Sequence, residues 1–78
     1  MYKVNYLERR IYMDKNLTTG QKLRKLRGKR SKAEVAAAIG VSESAYVKYE
    51  RDERNPSDPN KRRIADYYKK KVGDIFFS

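Results

Sequence analysis

The chain contains no cysteine, no histidine and no tryptophan. Without cysteine there is no disulfide, and without cysteine or histidine there is no zinc site of the Cys/His kind. The commonest general base is missing too, and no other catalytic constellation stands out, so an enzyme is not expected. No stretch approaches the roughly 20 apolar residues of a membrane span, and the N-terminus lacks the apolar core of a signal peptide. The expectation is a soluble cytoplasmic protein with no membrane partner, no cofactor and no small-molecule ligand. Only 2 prolines and 4 glycines interrupt 78 residues, and there is no repeat or long linker. A chain of this length buries a modest core, so one domain of marginal stability follows unless dimerisation or a bound partner adds to it.

Basic charge is what the chain has in excess. Twenty lysines and arginines face ten acids, for a formal charge of +10. That balance suits DNA, RNA or an anionic membrane equally, so it names a class of partner and no more. Its distribution is informative. Between Asp14 and Glu34 lie eight basic residues and no acid, with Lys22, Arg24, Lys25, Arg27, Lys29, Arg30 and Lys32 crowded near the end of a first helix.

Five helices are expected. The first begins at Thr18, which stands in capping-box spacing with Gln21, and runs to Arg27, with Leu23 and Leu26 inward and Gly28 ending it. The second has what reads as the better box, Ser31 with Glu34, and runs to Ile39; the third runs from Ser42 to about Arg51. Residues 52–56 form a loop. A fourth helix starts at Ser57 or Asp58, with Pro59 in its first turn, and buries Ile64, Ala65 and Tyr68. A short fifth helix over 72–77 turns Ile75 and either Phe76 or Phe77 onto the core. The other phenylalanine is a candidate for a subunit interface.

The second and third helices form the most informative unit. Val35 and Ile39 share a face, and Ala36 is small where another helix crosses. Gly40 takes the left-handed conformation at low cost, which lets the chain reverse before Ser42 caps the next helix. Val41, Tyr46 and Tyr49 then pack on Val35 and Ile39. Glu43, Ser44, Val47 and Lys48 are left on the outward face.

Residues 20–77 resemble the lambda-repressor-like, Cro/CI-type helix-turn-helix family (the XRE family), whose small members are common in phages and mobile elements. The resemblance rests on Leu26-Arg27-Gly28, Glu34-Val35-Ala36, Ile39-Gly40-Val41-Ser42, Ser44-Ala45, Tyr49-Glu50-Arg51, Ile64-Ala65-Asp66-Tyr67-Tyr68 and Ile75-Phe76-Phe77. It covers about three quarters of the chain, and it is specific because these segments occur together, in order and at family spacing. It implies an all-α, five-helix domain over residues 18–78, with the motif at 32–51 and an N-terminal extension over 1–17. It also implies a transcriptional regulator, most simply a repressor, binding double-stranded DNA as a homodimer on an inverted repeat.

The same resemblance assigns roles. Glu43, Ser44 and Lys48 fall at base-reading positions, with Val47 able to touch a thymine methyl; lysine suits guanine O6 and N7, and glutamate suits cytosine N4. An acid in the first turn also stabilises its helix, so Glu43 has a second explanation. Lys25, Lys29, Arg30, Lys32, Ser42, Arg51 and Arg54 are expected at phosphates, although Asp52 and Glu53 offer the last two arginines partners within the chain. Arg27 and Glu50 are the family's structural ion pair. Asp52 stands where many relatives have glycine.

Residues 1–17 read two ways. Tyr2, Val4 and Tyr6 alternate as in a strand, while Val4, Leu7 and Ile11 suit a helix. The segment could pair with its symmetry mate, reach a minor groove with Arg9 and Arg10, or serve as a leader; packing on the domain or a partner is favoured by its large apolar residues. An autoregulating antitoxin, a protein-binding adaptor and an RNA-binding module are the rival functions. The RNA reading requires exposed tyrosines for stacking.

Overall fold

The computed structural model describes residues 17–77. Five helices follow in order: α1 (Thr19–Arg27), α2 (Lys32–Ile39), α3 (Glu43–Glu50), α4 (Asp58–Tyr68) and α5 (Val72–Phe76). There is no strand among the described residues. The alternatives for the N-terminal extension fall on residues 1–16, outside that range.

Short polar side chains start four of the helices. The hydroxyls of Thr18, Ser31, Ser42 and Ser57 accept from the backbone N–H groups of Gln21, Glu34, Ala45 and Asn60, each cap contributing about 1 kcal/mol. The two expected capping boxes differ in the reverse of the order anticipated. Gln21 Oε1 accepts from Thr18 N–H at 2.9 Å, completing the first box. At the second, Ser31 Oγ accepts from Glu34 N–H at 3.0 Å, but the Glu34 carboxylate does not return to Ser31. That carboxylate is exposed, so water satisfies it in place of the Ser31 N–H.

Four residues with positive φ break the helices apart: Gly28, Gly40, Asp52 and Lys69. Gly40, at φ 92°, donates its N–H to Ala36 O at 2.9 Å, and Val41 N–H adds a second bond to the same carbonyl at 3.0 Å. The chain therefore reverses within one residue. Asp52 at φ 59° and Lys69 at φ 58° are not glycines, and each carries a backbone cost of about 1 kcal/mol.

The core is one cluster formed by Leu23, Val35, Ala36, Ile39, Tyr46, Tyr49, Ile64, Ala65, Tyr68 and Ile75. α3 packs on both α1 and α2, α4 closes over α2, and α5 bridges α4 back to α1. Phe76 lies partly buried against this cluster, whereas Phe77 is 61% exposed.

A buried polar contact inside the core joins α3 to α4. The Tyr46 and Tyr68 hydroxyls are 2.7 Å apart and buried. Burial, more than any neighbouring charge, pushes both phenols above their ordinary range. A raised folded-state pKa leaves stability intact below pH 10, where both states hold the protons. Above it the unfolded chain releases protons that the folded chain keeps, so stability falls by up to about 1.4 kcal/mol per pH unit for each group. Denaturation midpoints measured from pH 9 to 11 are expected to drop more steeply for the wild type than for Tyr46→Phe/Tyr68→Phe. Equal slopes would show that other groups govern the alkaline limit.

Candidate nucleic-acid interface

The helix that offers an outward face is α3, and its placement follows from what lies beneath it. Tyr46 is fully buried and Tyr49 is 5% exposed, so the helix cannot roll without opening the core. Opposite them, Glu43, Ser44 and Lys48 are exposed and Val47 is half-buried. These four line one shallow open hollow together with Arg51 and Glu53.

A single ion pair anchors the far end of α3. Arg27 Nε donates to Glu50 Oε2 at 2.6 Å and Arg27 Nη2 to Glu50 Oε1 at 3.1 Å, while Arg27 Nη1 donates to Arg30 O at 2.9 Å. The Glu50 side chain is 1% exposed and that of Arg27 15%. The Glu50 hydrogen bond raises the Arg27 pKa above its ordinary value, so this fork stays charged. Both residues are thereby committed to the fold.

Asp52 performs a task the sequence did not announce. Its Oδ2 accepts from the Thr18 hydroxyl at 2.7 Å and its Oδ1 from Gly20 N–H at 2.9 Å. The turn after α3 is thus tied to the first turn of α1, which compensates for the left-handed backbone of Asp52. Gly20 makes the approach possible. A Cβ there would collide with the Glu50 carbonyl oxygen and come within 2.8 Å of Asp52 Oδ2.

The basic residues divide into those with partners and those without. Lys22 does not join the cluster at the end of α1, as its position in the sequence suggested. It is 4% exposed, and its Nζ donates to Asp74 O at 3.3 Å on the side of α5. Arg30 is exposed, but its guanidinium lies 5.2 Å from the Tyr67 ring centre and 5.6 Å from that of Tyr68. Arg51 Nε sits 3.3 Å from Glu53 Oε2 on the surface, where such a pair contributes little and breaks easily. Lys25, Lys29, Lys48 and Arg54 are exposed and Lys32 is half-buried; none has an ion-pair partner among the described residues. Lys32 opens α2, at the positive end of the helix dipole. Ser42 Oγ accepts from Ala45 N–H at 3.0 Å, which leaves its hydroxyl proton for an outside acceptor.

A paired helix-turn-helix whose second helix is pinned from below, with nearby cations that have no ion-pair partner among the described residues, is a shape for a polyanion with a groove. The sequence pattern of the family described as Helix-turn-helix (HTH_3) matches residues 21–75. The chain belongs to that family, the XRE-type, lambda-repressor-like helix-turn-helix proteins. This XRE-family protein is accordingly a DNA-binding regulator of transcription, and the five helices of the described residues, with no strand among them, agree with that family. No curated protein and no solved structure matched the chain in comparison. Among the described residues, no helix is long and apolar enough to cross a membrane.

Proposed function

We propose that this XRE-family protein is a repressor that binds an inverted-repeat operator as a homodimer, laying α3 of each subunit in the major groove. Glu43, Ser44, Val47 and Lys48 read base edges, and Lys25, Lys29, Lys32, Ser42, Arg51 and Arg54 hold phosphates. Arg30 joins them through whatever part of its guanidinium the two tyrosine rings leave open. The observation that carries this reading is the outward face of α3: four side chains of base-reading chemistry on one hollow, beside lysines with no described ion-pair partner. One such helix reads only a few base pairs, and two of them, about 34 Å apart, multiply the specificity. The RNA alternative is the weaker reading, because Tyr46, Tyr49 and Tyr68 lie in the core and are not open for stacking.

Two substitutions separate reading from holding. Lys48→Ala is expected to relax preference at one operator position, worth about 1–3 kcal/mol of discrimination. Lys32→Ala is expected to weaken all duplexes alike and lower the salt slope by about one. Binding measured on the operator and on single-base variants checks both. Uniform, sequence-independent losses from both would sink the role of Lys48.

A further inference from the structure

A second set of cations lies at the α4–α5 turn, and the fold places it beside the first. Lys69, Lys70 and Lys71 follow directly on Tyr68. Tyr67 and Tyr68 are the rings under the Arg30 guanidinium, at 5.2 and 5.6 Å. The α1–α2 turn, which carries Lys29 and Arg30, and the end of α4, which leads into the three lysines, are therefore neighbours. Lys69 and Lys71 are exposed and Lys70 is half-buried, with no ion-pair partner among the described residues for any of them. The nearest acids in sequence leave them free: Asp66 is exposed a turn earlier, and Asp74 accepts from the Lys71 backbone N–H at 3.3 Å.

Lys69 carries a second sign of use. It ends α4 in the left-handed conformation, at φ 58°, where glycine would sit without strain. A lysine there gives up local stability and places a cation at the apex of the turn.

We infer that Lys69, Lys70 and Lys71 bind the sugar-phosphate backbone of duplex DNA flanking the operator half-site, extending the contact beyond the reach of α3. This rests on the DNA-binding reading above. Duplex DNA fits better than a single strand because the aromatic rings beside these lysines are covered by Arg30 rather than open for stacking. Lysine, a flexible point charge, suits phosphates whose register changes from one flanking sequence to another. The contact adds affinity and salt sensitivity without adding base preference.

The test compares two duplexes, the selected operator alone and the operator with one further helical turn, about 10 base pairs, on each side. Wild type is measured against Lys69→Gly/Lys70→Gln/Lys71→Gln over a salt series. Wild type is expected to bind the longer duplex more tightly. The variant is expected to lose at least about tenfold on it, with a salt slope smaller by two to three, and to match wild type on the short one. Its melting temperature is expected at or above that of wild type, and Lys70→Gln/Lys71→Gln, which leaves the helix stop intact, is expected to show the same length-dependent loss. No gain from the flanks, or equal losses on both lengths, would overturn the inference and leave the operator contact standing. A wild type that binds neither duplex above random DNA would overturn the DNA reading itself and this inference with it.

Discussion

Arg27→Ala is expected to leave the domain largely unfolded at room temperature. The substitution abandons the Glu50 carboxylate in a place where its side chain is 1% exposed, and breaking a buried pair from one side costs about 3–5 kcal/mol. A domain this small has roughly that much stability in total. The loss also removes the bond from Arg27 Nη1 to Arg30 O, so the α1–α2 turn loosens together with α3. Arg27→Lys keeps a charge but replaces the two-point fork by a single ammonium, and an intermediate cost follows. Arg27→Met/Glu50→Leu, with no orphaned charge, is expected to recover most of the stability. Urea denaturation of the four proteins checks the order. An alanine variant within 1 kcal/mol of wild type, on the scale of an exposed pair, would mean that the pair is a surface ornament.

The largest effect on binding is expected from removing three cations together. Lys25→Gln/Lys29→Gln/Lys32→Gln takes away charges that have no ion-pair partner among the described residues, so the fold is expected to lose little. If each lysine neutralises one phosphate, the slope of log affinity against log salt falls by about 2.7, and affinity at 0.1 M salt falls roughly 500-fold relative to a 1 M reference. The ranking of operator variants is expected to survive, because phosphate contacts position the protein without reading sequence. Titrations of a labelled operator at several salt concentrations measure all three quantities. An unchanged slope would place the DNA on another face.

The helices and their crossing were legible because each is written locally. Thr18, Ser31, Ser42 and Ser57 mark starts, Gly28 and Gly40 mark stops, and Val35, Ile39, Tyr46 and Tyr49 repeat at helical spacing. What escaped reading depends on partners distant in sequence. Lys22 looked like one more member of a basic run, yet it shares a face of α1 with Leu26, and only the return of α5 supplies the Asp74 carbonyl that receives it. Asp52 was read as a substitute for glycine, and the Thr18 and Gly20 groups it caps lie 34 and 32 residues away. Gly20 gave no signal either, since its need for a missing Cβ arises from the Glu50 carbonyl across the helix pair. The same holds for Arg30, whose expected phosphate role competes with two tyrosine rings from α4. The outward positions on α3 could be named from spacing because burial of Tyr46 and Tyr49 leaves that helix one orientation.

Selection of bound sequences from a random duplex DNA pool, at near-physiological salt, tests the central claim most directly. The account predicts enrichment of an inverted repeat whose half-sites lie about one helical turn, roughly 34 Å, apart. Failure to enrich any sequence, with binding that disappears as salt rises, would contradict it and leave only a basic surface.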